Sequence, residues 1–187
     1  MLPRMNRARY LGALAAVLAL LLAGCSDDEP TEPGPSSSPT EASQSSSPTE
    51  PTVEPATGEA MAGDSASARA PEGFRVSEFG FGILNAAKGD TTVTFADLGA
   101  VSVTTPKQLA GNGLTNFKGR PTVTYGADLG GAPAYLAVGS DGSGPYVEYG
   151  AVRGGNAVVV AFAFPGHMQE DEQDALIASV LASFSWS

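Results

Sequence analysis

Between residues 79 and 126 apolar side chains recur at every second position. Phe79, Phe81 and Ile83 alternate with Gly80 and Gly82, Val93 and Phe95 with Thr92 and Thr94, and Val101 and Val103 with Ser102 and Thr104. Val123 and Tyr125 lie between Thr122, Thr124 and Gly126. Successive side chains of a strand point to opposite faces, so this period of two predicts half-buried strands. Gly89-Asp90, Gly130-Gly131, Asp141-Gly142-Ser143-Gly144 and Arg153-Gly154-Gly155-Asn156 punctuate the pattern as hairpin turns, where glycine takes positive φ without steric cost. Strands joined so tightly are antiparallel.

Residues 157–164 break the alternation, being apolar on both faces. That pattern predicts a central strand covered on two sides. Val158, Val160, Phe162 and Phe164 form its bulky face, while Ala157, Val159, Ala161 and Ala163 form a smaller one suited to close approach by a helix. The helix follows at residues 169–184, where Leu176, Ile177, Val180, Leu181 and Phe184 make one apolar stripe. Glu170, Asp171, Glu172 and Asp174 occupy its first turns, where the helix dipole favours carboxylates. Trp186 is expected to pack on the sheet as the chain ends.

The other apolar run, residues 10–22, follows Arg4, Arg7 and Arg9 and ends in Leu22-Ala23-Gly24-Cys25. It is shorter than the ~20 residues that span a bilayer, and a positive start, short apolar core and small residues mark a targeting segment. The stretch resembles a bacterial lipoprotein signal peptide, with Leu22, Ala23 and Gly24 as the recognition residues of the signal peptidase and Cys25 as the acceptor. The resemblance implies diacylglycerol on the Cys25 sulfur, cleavage before Cys25 and acylation of the new amino group, which anchors the protein in the cell membrane on its extracytoplasmic face. Cys25 is the only cysteine, so no intramolecular disulfide is available and the folded part must hold by packing.

Composition then divides the chain into a signal peptide at residues 1–24, a lipidated cysteine with a disordered linker at 25–70, and one globular domain at 71–187. Residues 26–70 are rich in Ser, Pro, Thr, Glu and Ala, with Val53 and Met61 as the only larger apolar residues. Such a segment buries too little surface to offset the entropy of ordering. Nine acids against Arg69 and a high proline content extend it, as a spacer or an O-glycosylated stalk. The domain carries 11 acids against six bases and no basic stripe. That balance gives no electrostatic footing for nucleic acid or for direct adhesion to anionic lipid.

The C-terminal third resembles the PsbP-like (Mog-like) fold superfamily. The resemblance lies in Tyr146-Val147-Glu148-Tyr149, a glycine turn, the strand at 157–164 ending in Pro165, and an acidic amphipathic helix closing with Val180-Leu181-Ala182-Ser183-Phe184-Ser185-Trp186. It implies an α+β fold, an antiparallel sheet with the C-terminal amphipathic helix packed on one face, often without enzymatic activity. A helix for the other face has one candidate, residues 106–117 with Thr105 as cap, and Gly111-Asn112-Gly113 cuts it to little more than a turn. A β-sandwich plus one helix is the alternative architecture.

Catalytic chemistry finds little support. His167 is the only histidine, and a dyad with Glu170 or Asp171 lacks a serine in a nucleophile elbow. The acids of the helix start lack the alternating spacing of a calcium loop. One histidine and no free cysteine leave little for a zinc site, and no phosphate-cradling glycine loop is present. The expectation is a non-enzymatic binding or interaction module of the cell envelope, without metal or cofactor, facing a protein or glycan partner. A carrier for a lipid or other apolar small molecule is the second reading, and an envelope enzyme the third.

Overall fold

The computed structural model describes residues 53–187. The expected signal peptide at 1–24, with Leu22, Ala23 and Gly24, the expected lipidation site Cys25, and residues 26–52 of the expected linker at 25–70 lie outside the described residues.

Ten strands and two helices follow in the order β1 (Ala60–Ala62), β2 (Ala66–Arg69), β3 (Arg75–Gly80), β4 (Ile83–Lys88), β5 (Thr91–Ala100), α1 (Pro106–Gly113), β6 (Thr122–Leu129), β7 (Ala132–Ser140), β8 (Pro145–Arg153), β9 (Asn156–Ala163), α2 (Glu170–Ala182) and β10 (Ser185–Trp186). The main sheet is antiparallel throughout, ordered β3-β4-β5-β9-β8-β7-β6. The turns at Gly89-Asp90, Gly130-Gly131 and Gly154-Gly155 join neighbouring strands as hairpins, with those glycines at positive φ. A three-stranded sheet, β1-β2-β10, forms separately.

Strand β9 is central, as its two apolar faces require, with Ala157, Val158, Val160 and Phe162 fully buried. The assignment of its faces differs from expectation. The C-terminal helix covers the bulky face: Val158, Val160, Phe162 and Phe164 share one core with Ile177, Val180 and Phe184. The alanine face instead meets α1, where Leu109 and Ala110 pack with Ala157, Ala161 and Phe117. A two-turn helix on a short connection fits over small side chains, whereas α2 brings large side chains of its own to a taller layer.

Helix α1 is more than the turn that its glycines suggest. Thr105 is extended and its Oγ1 accepts the Gln108 amide at 3.2 Å, while Pro106 opens the helix where a missing N–H costs nothing. Two other segments depart from the alternation. Val101 and Val103 follow the end of β5 and are not in a strand. Phe81 and Gly82 are the two loop residues of the β3–β4 hairpin, so the Phe79–Phe81–Ile83 pattern spans a chain reversal.

The domain also begins earlier than residue 71. Strands β1 and β2 place Met61, Ala66, Ala68 and Ala70 in the same core as α2, with Ala56 beside them. Ala56 donates its amide to the Ser179 carbonyl at 2.8 Å, and Ser67 meets Ser185 hydroxyl to hydroxyl at 3.1 Å. Alanines carry little hydrophobic signal one by one, yet a row of them against a helix buries fully. Trp186 closes the chain in β10, its Nε1 donating to the Leu129 carbonyl at 2.9 Å and its indole meeting Phe184 edge to face.

Candidate functional site

The loop Phe81-Gly82 has positive φ at both residues, 56° and 74°, the signature of a type I′ hairpin. Asn-Gly or Gly-Gly fits such a turn; a phenylalanine at the first position is held in a conformation that disfavours it. Among the described residues Phe81 is the one non-glycine with positive φ. Its side chain gains nothing from packing, being 98% exposed.

Two further large apolar residues stand out at this end of the sheet, and both sit where the ladder is irregular. The β3–β4 register shifts between Glu78 and Gly80, leaving Phe79 as an extra residue, and Phe79 is 68% exposed. The β5–β9 register shifts between Asp97 and Gly99, leaving Leu98, which is 42% exposed. Bulges of this kind re-aim a side chain. Phe81 and Leu98 line a groove of about 570 Å³ together with Asp64, Glu78, Leu84 and Asp97.

Asp97 forms the structural wall of the groove. It is buried, yet Ser65 donates its amide to Oδ2 at 2.7 Å and its hydroxyl to Oδ1 at 2.5 Å, and the Gly99 amide reaches Oδ1 at 3.0 Å. Burial pushes the carboxyl pKa up, but the hydrogen bonds from Ser65, Gly99 and Ala66 outweigh it and hold it below the usual value. The contact locks the β1–β2 turn onto β5. Gly63 and Gly82 allow it, since a Cβ at either would collide with Asp97.

A second polar cluster lies under α1. Tyr135 donates to Glu148 Oε1 at 2.5 Å, Tyr146 approaches Oε2 at 3.4 Å, and Asn116 Nδ2 donates to the Tyr146 hydroxyl at 3.2 Å. Tyr135 pairs with Gly150, over which its ring lies; a Cβ there would strike the ring. Burial raises the Glu148 pKa, against the opposing pull of the two tyrosine hydroxyls. Burial and then the Glu148 charge push Tyr146 up to about 12 and Tyr135 higher still. Phe117, itself buried, stands edge-on to Tyr146 with centroids 4.8 Å apart. With Glu148 only 2% exposed, this cluster reads as a satisfied core network and not as a site open to a substrate.

A third feature is an open groove of about 500 Å³ between α2 and the β7–β8 strands, floored by Leu136, Val147 and Tyr149 and rimmed by Glu170 and Asp174.

His167 is exposed in the loop before α2 and shares a shallow recess with Lys88, Asp90 and Glu172; its carbonyl accepts from Gln169 Nε2 at 3.4 Å. Glu170, Asp171 and Glu172 occupy the first turn of α2, for which Gln169 stands at the cap without a side-chain bond to the helix amides. Among the described residues no three His, Cys, Asp or Glu side chains are grouped to hold a metal, and no helix is long and apolar enough to cross a membrane. Sequence reasoning missed Phe81, Ser65–Asp97 and Tyr135–Glu148 as pairings. The Phe81-Gly82 turn had one readable signal, a lone residue flanked by glycines on both sides.

No family model matches the chain, and no curated protein matches it. One similar solved structure is a crystal structure from Bacteroides thetaiotaomicron VPI-5482 at 1.50 Å resolution, 12% identical, with a TM-score of 0.45. The match covers 65% of this chain and 45% of that one, so the chain spans under half of that protein's length.

Proposed function

We propose that the chain is an extracytoplasmic lipoprotein, anchored through acylated Cys25, whose folded domain is a non-enzymatic binding module of the cell envelope. The observation that carries the binding reading is Phe81, an aromatic side chain presented to solvent at a turn position that folding alone would give to asparagine or glycine. Leu22-Ala23-Gly24-Cys25 supports the anchor. A PsbP-like fold is the finer architectural reading, supported by one helix on each face of the antiparallel sheet. The carrier reading draws some support from the open groove beside α2, but the packed faces of β9 argue against an enclosed apolar chamber at the centre of the sheet.

Two measurements test the proposal. Cys25→Ala should release the protein from the membrane fraction and remove the mass of the acyl chains; a variant that stays bound with unshifted mass overturns the anchor. A photo-crosslinking residue placed in turn at Phe81, Val138 and His167 of the full chain in cells should capture at least one discrete species, identified by mass spectrometry. Capture at none of the three overturns the module.

A further inference from the structure

Resting on the binding-module reading, we infer that the β3–β4 hairpin end and its groove dock a basic, partly apolar polypeptide segment of another protein. Three observations converge there. Phe81 and Phe79 are the two most exposed large apolar residues among those described, Leu98 is exposed beside them, and each is presented by an irregularity of the backbone. Aromatic anchors of this kind dominate interface energetics once a partner covers them.

Charge selects the partner. The groove is lined by Asp64, Glu78 and Asp97, and by no Lys or Arg among the described residues. Asp97 is engaged by Ser65 and Gly99, which leaves the Asp64 and Glu78 carboxylates for a ligand's cations. An anionic bilayer would be repelled by these acids, and a second copy of a chain with net charge −10 would bring the wrong sign. The backbone selects a polypeptide over a small cation. β3 ends the seven-stranded sheet, so among the described residues no strand pairs with its outer edge, which can receive an extended segment.

The experiment uses the full-length protein in phosphatidylcholine nanodiscs, with empty discs subtracted, and a fluorescein-labelled decapeptide alternating lysine and leucine as probe. Binding should saturate and weaken as ionic strength rises. Phe81→Asn, which suits the turn and so keeps the fold, should weaken it about tenfold or more. The pair Asp64→Asn with Glu78→Gln should weaken it by a similar factor, and the pair Glu170→Gln with Glu172→Gln on α2 should leave it unchanged. Equal losses in the two acid pairs would reveal general charge attraction and overturn the inference, as would absence of binding. Phe81-dependent sedimentation with phosphatidylglycerol vesicles, or Phe81-dependent self-association, would overturn it in favour of a membrane or a second copy. Failure of the probe while Val138 or His167 still forms crosslinks sinks this inference and leaves the binding module standing.

Discussion

The Tyr135 hydroxyl donates to Glu148 Oε1 at 2.5 Å across neighbouring strands, with both residues buried beneath α1. Removing the donor strands an acceptor that water cannot reach. Tyr135→Phe should cost about 1–3 kcal/mol in urea unfolding. Glu148→Gln keeps an acceptor for Tyr135 and removes the buried charge, so it should cost less or even stabilise at neutral pH. The pH dependence separates the two effects. A carboxyl whose folded pKa is raised makes the folded state the stronger proton binder, so its contribution worsens as pH climbs past the unfolded value of 4.5 and levels off above the folded pKa. The stability of Glu148→Gln relative to wild type should therefore increase over that rise; a pH-independent difference would mean that Glu148 is not strained by burial.

Asp97 has the opposite sign. Its folded pKa is lowered from 3.8, so its stabilisation is complete above that value and is lost as pH falls through the folded pKa. Ser65→Ala removes the hydroxyl donor but leaves the amides, and should cost about 1.5–3 kcal/mol at pH 7, as hydrogen bonds to charged groups do. The gap to wild type should narrow as the pH drops below 3.8. Denaturation curves at stepped acid pH measure it, and a gap that stays constant would place Ser65 outside the carboxylate's hydrogen-bond set.

Phe81→Asn should raise stability by about 1 kcal/mol, because a non-glycine at positive φ costs on the order of that much and asparagine tolerates it. Almost no buried surface is lost, since the ring is in solvent. Thermal unfolding of the full chain gives the answer. A drop in midpoint would mean that the ring packs in a way that its exposure hides, and would remove the reason for treating it as a binding residue.

Where the chain repeats a pattern over many residues, the fold was legible. The all-apolar run of β9, the glycine turns and the stripe from Leu176 to Phe184 each combine several residues into one signal, and the structure has a central strand, hairpins and a helix there. What escaped depended on single residues or distant partners. The small face with Val159 reads as the one for α2, whereas the bulky face with Val158 meets it, because only the fold brings α1 over the alanines. Ser65 and Asp97 are 32 positions apart, and only the fold of β1–β2 onto β5 joins them. Phe81 alternates in phase with Phe79 and Ile83, and only the flanking glycines distinguish a turn from a strand.

Met61 tests the longest of these misreadings, the extent of the linker. It lies in β1 with its side chain fully buried, in a segment whose Ser, Pro, Thr and Glu content reads as disorder. Its neighbours in the core include Ala66, Ala68, Phe95 and Val180. Were residues 53–70 a solvated tether, Met61→Ala would change stability by no more than about 0.5 kcal/mol, as surface substitutions do. As a core residue Met61 should lose about 2–5 kcal/mol on truncation, through lost burial and the cavity left behind. Ala86→Gly provides a reference within the main sheet, because Ala86 is equally buried and its identity as a core residue does not depend on the linker boundary. Urea midpoints of the two variants with unchanged slopes would assign the loss to the native core, and a silent Met61→Ala would return the domain's start to residue 71.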